Sequence, residues 1–110
     1  MSPQGLSLAA TREFEAWYRL LGDTEKTRID ARLERMSLGH LGDSKSLGER
    51  LFELRWKNGM RVYYSRRRIR RADVIVVWGG TKSTQRSDIK RARRLKAIYE
   101  EELGPEPKDA

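Results

Sequence analysis

Hydrophobic positions change period several times along the chain, and each change marks an element. Leu6, Leu8 and Ala10 alternate, which predicts a short first strand over 6–10. Thr11 then offers an N-cap, and Phe14, Trp17, Tyr18 and Leu21 follow at i, i+3, i+4 and i+7, one face of a helix that Gly22 ends. Asp23 or Thr24 caps a second helix, with Ile29, Leu33 and Met36 as its buried stripe and Gly39 near its C-terminus. So short a connection predicts an antiparallel helical hairpin. Arg28, Arg32 and Arg35 share the other face of the second helix, interleaved with Asp30 and Glu34, and read as a solvated face. Residues 37–50 carry Gly39, Gly42 and Gly48 and read as an ordered loop with Lys45 in its middle.

Three strands are predicted next, over 51–57, 60–66 and 72–78. Asn58-Gly59 between the first two is a hairpin signal, and loop length decides which side chains face the core. A two-residue turn pairs 57 with 60 and mixes Leu54 and Trp56 with Arg61 and Tyr63. A three-residue loop, with Gly59 left-handed in a bulge, pairs 56 with 60 and gathers Phe52, Leu54, Trp56, Val62 and Tyr64 on one face. The second register is preferred because it separates core from charge. It places Glu53, Arg55, Arg61 and Tyr63 on the opposite face, with Arg55 directly across from Arg61. Two opposed guanidinium groups repel, a local cost that makes sense if an anion sits between them. Residues 74–77 are apolar on both faces, as in a central strand covered on each side, and Gly79-Gly80 ends that strand. A last helix starts near 83–87, with Asp88 in its first turn and Ile89, Ala92, Leu95, Ile98 or Tyr99, and Leu103 as its apolar stripe. From Gly104 onward Pro105, Pro107 and mixed charge predict a flexible tail over 104–110, leaving 1–103 as one domain.

Charge changes this picture from fold to partner. The chain has 110 residues and a formal net charge of +8, with 24 Lys and Arg against 16 Asp and Glu. Residues 61–96 hold 13 basic and 2 acidic side chains, a positive field suited to phosphate backbones. The absence of cysteine excludes disulfides, thiolate metal sites and Cys nucleophiles, and suits a reducing cytosol. No signal peptide is recognised, and the longest apolar run, 74–78, is far short of the ~20 residues of a spanning helix, so a soluble cytoplasmic protein with no membrane partner is expected. No His and carboxylate cluster has metal-ligand spacing, so no metal or cofactor is expected. The sole histidine, His40, falls in the Gly-rich loop and reads as structural or solvent-exposed. Trp17, Trp56 and Trp78 lie on apolar stripes or strands and read as core.

Several short patterns occur in order: Trp17 and Leu21; Arg28-Ile29-x-x-Arg32-Leu33-x-Arg35; Leu41-Gly42-Asp43-x-Lys45-x-Leu47-Gly48; Glu53-Leu54-Arg55; Arg61-Val62-Tyr63-Tyr64; and Gly79-Gly80-x-Lys82-Ser83-Thr84-Gln85-x-x-Asp88-Ile89-x-x-Ala92. In this order and spacing, from about residue 6 to 103, the chain resembles the RelE/ParE superfamily of toxins, within it the phage Gp49-like, HigB-type addiction-module killer proteins. The resemblance implies an α+β fold: an N-terminal strand, an antiparallel helical hairpin, a three- to four-stranded antiparallel sheet and a C-terminal helix. It also implies the toxin of a type II toxin–antitoxin system. RelE-like members are metal-independent endoribonucleases that inhibit translation by cutting mRNA, generally on the ribosome, whereas ParE-like relatives poison DNA gyrase. A non-enzymatic nucleic-acid-binding module is the remaining alternative. The implied partners are mRNA, the ribosome and a cognate helix-turn-helix antitoxin, through which operator DNA would be reached. The chain departs from the usual branch pattern in the basic run of Arg66, Arg67, Arg68, Arg70 and Arg71, and in Met60 before the family arginine.

A metal-free ribonuclease must activate the ribose 2′-OH, stabilise a phosphorane and protonate the leaving oxygen. Arg61 matches the family's strand arginine and is the first candidate, as phosphate clamp and transition-state stabiliser. Arg55, Lys82 and Lys45 follow, with Lys82 placed to protonate the leaving 5′-oxygen or hold phosphate. Tyr63 would orient or accept a proton if nearby cations lowered its pKa. Glu53 is the sole carboxylate on this face and a candidate base, although the resemblance implies that relatives often use Lys or Tyr instead. Gln85 would bind a base edge or order its loop, and Arg66, Arg67, Arg68, Arg70 and Arg71 would contact RNA. The plainer alternatives are a surface ion pair between Arg55 and Glu53, a core-edge Tyr63, and Lys82 and Gln85 as part of the last helix's cap.

Overall fold

In a computed structural model, which describes residues 5–66 and 72–103, the chain forms a mixed five-stranded sheet between two helical layers. Strand β1 (Leu8–Ala10) leads to Thr11, whose hydroxyl accepts from the Phe14 N–H and caps α1 (Arg12–Arg19). The same hydroxyl donates to the Val77 carbonyl, so one side chain both starts the helix and ties it to the sheet. Helix α2 (Asp23–Ser37) follows after a short turn and completes the hairpin. Its N-cap is Gly22 rather than Asp23 or Thr24, which lie in the first turn.

Strands β2 (Ser44–Gly48), β3 (Leu51–Arg55), β4 (Met60–Arg66) and β5 (Val74–Thr81) run antiparallel to one another, in the spatial order β1-β5-β4-β3-β2. The expectation of a three- to four-stranded antiparallel sheet is corrected at both edges. At one edge β1 pairs parallel to β5, Leu8 opposite Val74. At the other, part of the expected Gly-rich loop is β2, a polar edge strand whose alternation is too weakly apolar to read as a strand. The tight β2–β3 turn uses left-handed backbone at Gly48, Glu49 and Arg50.

The preferred hairpin register is the observed one. Arg55 pairs with Arg61, the Trp56 N–H bonds the Met60 carbonyl, and Gly59 has φ +97°. Strand β3 stops at Arg55 rather than 57, and β5 continues through Gly79 and Gly80, where it was expected to end. These two glycines pair with Val62 and Arg61 and permit close approach on opposite faces, Gly79 under the Trp17 ring and Gly80 under Asp88.

Val74 and Val76 point into the core with Phe14, Ile29, Met36, Leu54, Val62 and Tyr64, beneath the helical hairpin. Ile75 and Val77 point into the other core, with Leu51, Tyr63, Ala92 and Leu95, beneath α3 (Gln85–Leu103). β5 is thus the two-sided strand that its apolar run predicted. Tyr99, not Ile98, packs on the sheet from α3. A 3₁₀ turn (Lys82–Thr84) joins β5 to α3. Among the described residues no helix is long and apolar enough to cross a membrane.

One member of the supposed solvated stripe is buried in part. Arg32 donates to the Arg55 carbonyl at 3.0 Å and the Asp43 carbonyl at 3.1 Å, with its guanidinium 4.7 Å from the Trp56 ring centre. It clamps the approach to β2 onto the end of β3, while Arg28 and Arg35 remain exposed.

Candidate functional site

The α3-facing side of the sheet builds the site from cross-strand rows. Lys45, Glu53, Tyr63 and Trp78 stand opposite one another across β2, β3, β4 and β5. Arg55, Arg61 and Gly80 form the adjacent row on the same face. The head of α3 lies over both rows, and Gln85 donates to Glu53 Oε2 at 2.5 Å.

An anion does stand by the opposed arginines, and it is the protein's own. Glu53 is fully buried, its Oε1 3.7 Å from Arg55 Nε and 3.9 Å from Arg61 Nε. Those separations allow strong attraction and no hydrogen bond. Among the described residues, three buried side-chain polar atoms lack a hydrogen-bond partner, Glu53 Oε1, Arg61 Nε and Tyr63 Oη, and all belong to this cluster. Such groups are costly to leave unpaired, which makes their convergence informative.

The sequence candidates divide by accessibility. Arg61 is 6% exposed at its side chain, and its Nη1 donates to the Met60 carbonyl at 3.1 Å and the Trp56 carbonyl at 3.4 Å. Arg55 is 41% exposed, and Lys45 and Lys82 are also open to solvent. Lys82 donates its backbone N–H to the Gly59 carbonyl at 2.7 Å, which ties the hairpin tip to the end of β5. The fold therefore brings Arg55, Arg61, Tyr63, Lys45, Lys82 and Gln85 to one sheet region. Arg66 stands at the far end of β4, on the face that carries Val62 and Tyr64, and is separate from them. Arg67, Arg68, Arg70 and Arg71 lie outside the described residues, as does the tail 104–110. His40 is exposed.

Glu53 was legible as the sole carboxylate of its face and a candidate base, but not as the buried partner of both arginines. Asp88 was placed only in a helix's first turn, yet it accepts from Trp78 Nε1 at 2.9 Å and Thr84 Oγ1 at 2.5 Å and so fixes the head of α3 to β5. Trp78, expected in the core, is only partly buried and has the Arg91 guanidinium 4.2 Å from its ring centre. Among the described residues no group of three or more His, Asp, Glu or Cys side chains is arranged to hold a metal ion.

Burial pushes the Tyr63 phenol up, the negative charges of Glu53 and Asp88 push it further, and Arg61 opposes them only in part. Tyr63 is a neutral hydroxyl here, a proton donor rather than a base. Tyr18 is pushed up to about 12, first by donating to Asp30 at 2.6 Å and then by burial. A phenol is neutral when protonated, so raised folded-state values mean that the unfolded chain loses its protons first, from about pH 10. Stability is full below that pH and falls above it. Alkaline titration at 295 nm should show Tyr63 ionising only with global unfolding, and Tyr63→Phe should flatten the fall in denaturation midpoint above pH 10. An unchanged fall would remove Tyr63 as its source.

The molecule is thus an α+β protein with a buried carboxylate under a cationic sheet edge. An uncharacterized protein of Haemophilus influenzae is 38% identical over 93 residues, spanning 82% of this chain and 92% of that protein, and the chain belongs to the same family. No family model and no solved structure matches the chain.

Proposed function

We propose that the chain is the RelE/ParE-like toxin of a type II toxin–antitoxin system, a HigB-type endoribonuclease that cuts mRNA on the ribosome and is neutralised by a cognate antitoxin. The observation that carries this reading is the convergence of Arg55, Arg61, Lys45 and Lys82 on one sheet region in which Glu53 Oε1, Arg61 Nε and Tyr63 Oη lack hydrogen-bond partners. Cations in fixed orientation are what a phosphorane needs when no carboxylate–histidine pair does the work.

The exposures support a division of roles within this reading. Arg55 presents the accessible guanidinium and holds the scissile phosphate. Lys82 carries the exposed ammonium at the strand end and protonates the leaving 5′-oxygen. Lys45 contacts the flanking backbone from the edge strand. Arg61 acts from beneath: it shapes the hairpin tip through the Trp56 and Met60 carbonyls and shares Glu53 with Arg55, which makes it a positioning residue. Gln85 holds Glu53 in place.

Primer extension on a defined mRNA in a reconstituted translation system tests this reading. Wild-type protein should cut within A-site codons only when ribosomes are present, and Arg55→Ala or Lys82→Ala should lower cleavage by about 10² or more. Intact mRNA at high wild-type concentration would remove the nuclease, and full activity in both variants would remove the residue assignment.

A further inference from the structure

The cations of α3 fall on two flanks with different surroundings. On the flank toward β2 they are satisfied: Arg93 Nη2 donates to the Leu47 carbonyl at 2.6 Å and its Nη1 is 3.4 Å from Glu49, while Lys96 Nζ is 3.2 Å from Glu100. On the outward flank Arg86, Lys90, Arg91 and Arg94 are all exposed, and among the described residues none of the four has an ion pair. Arg86, Lys90 and Arg94 stack at i, i+4 and i+8, a line about 12 Å long in which neighbouring like charges repel. The acid nearest to them in the helix, Asp88, is turned inward and held by Trp78 and Thr84, so it does not quench the line.

Arg91 adds a feature that a merely solvated face lacks. Its guanidinium lies over the Trp78 ring, and the indole is itself fixed by its bond to Asp88. A groove of about 320 Å³ runs past this stack, lined by Trp78, Ser87, Asp88, Lys90, Arg91 and Arg94. Stacking holds the planar donor fork in a fixed orientation, which favours bidentate contact with a phosphate. It also covers a face of the indole, so the groove is suited to backbone contact more than to base stacking.

We infer that the outward face of α3 is a docking surface for an RNA phosphate backbone, separate from the sheet cluster where cleavage is placed. The choice of RNA rests on the proposed nuclease function; the surface itself rests on the unpaired line of cations and the stacked Arg91. Charge complementarity with a polyanion removes the helix's internal repulsion and releases counterions from the backbone.

The test is anisotropy of a fluorescein-labelled 20-nucleotide single-stranded RNA against the full chain, over a range of KCl concentrations, for wild type and R86Q/K90Q/R94Q. Each lost phosphate contact should reduce the slope of log K against log salt by about 0.7, so the triple variant should lose about 2 units of slope. Its affinity at low salt should fall at least tenfold, with a melting temperature no lower than that of wild type because the like-charge repulsion along the helix is relieved, and R86K/R94K should retain the wild-type slope. An unchanged slope in R86Q/K90Q/R94Q, or wild-type protein that does not bind the RNA, overturns the docking surface. A DNA strand of the same sequence should bind with a similar slope, since phosphate contacts do not read the 2′-OH, and DNA bound at least tenfold more tightly than the RNA overturns the assignment to RNA. Cleavage is read separately: a triple variant that binds and cuts like wild type removes the surface and leaves the nuclease. RNA binding lost in that variant, with no cutting by wild type on ribosomes, removes the nuclease and leaves the surface.

Discussion

Glu53→Ala should unfold the chain more readily than any substitution among the exposed cations, with a loss of about 3–5 kcal/mol. Glu53 is fully buried and is the counter-ion for Arg61, which is itself nearly buried. Removing it leaves Arg61 and Arg55 opposed across β3 and β4 with no negative charge between them, and Gln85 loses the acceptor that seats the head of α3. At about 4 °C per kcal/mol for a domain of this size, the melting temperature should fall by roughly 12–20 °C. Glu53→Gln keeps the shape and an acceptor for Gln85 while removing the charge, so it should recover part of that loss. It should also convert the arginine pair into a better anion site. Inorganic phosphate binding to the folded state should then raise the melting temperature of Glu53→Gln more than that of wild type. A loss below about 1 kcal/mol in Glu53→Ala would show that Arg61 does not depend on this carboxylate.

The route to this cluster was partly legible in the sequence. Asn58-Gly59 and the alternation on either side of it determine the register that sets Arg55 against Arg61, because only that pairing keeps Leu54, Trp56, Val62 and Tyr64 on one apolar face. The repulsion inferred from that pairing was read as a place for an anion, and in the fold the neighbouring negative charge is the chain's own Glu53. What the pattern did not supply was depth. Glu53, Arg61 and Tyr63 alternate as solvent-facing residues do, and they are buried because α3 is laid across them, a tertiary fact absent from local periodicity. The stripe of Ala92 and Leu95 revealed that α3 has an apolar side without revealing which end of the sheet its first turn covers. β2 was missed for a similar reason: an edge strand with polar residues on both faces lacks the alternation by which strands are recognised. Arg32 was misplaced because helical spacing reports which face a side chain leaves from, whereas a long arginine can lie back over the end of a neighbouring strand.

Gly80→Ala should be the most damaging single-methyl substitution at the site. A β-carbon at Gly80 would fall 1.9 Å from Asp88 Oδ2 and 2.7 Å from its carboxyl carbon, distances that demand movement. A carboxylate at the end of a free side chain would swing away at little cost. Asp88 is not free, since Trp78 and Thr84 both donate to it and it is largely buried. Displacing it combines overpacking, about 1–3 kcal/mol, with the loss of two hydrogen bonds to a charged group at roughly 1.5 kcal/mol each, so a total of about 4–6 kcal/mol is expected. The consequence reaches the cluster, because Asp88 lies one turn beyond Gln85 and a shift of the α3 head draws Gln85 from Glu53. Chemical denaturation of Gly80→Ala, Asp88→Ala and the double variant separates the clash from a general intolerance of side chains in β5. If the clash is with Asp88, the double variant will be much more stable than the sum of the single losses predicts, by 1–3 kcal/mol, since removing the carboxylate makes room for the methyl. Additive losses would instead place the damage in the backbone of β5, and Gly79→Ala, whose β-carbon would stand 2.3 Å from the Trp17 ring on the other face, provides the comparison in which Asp88 plays no part.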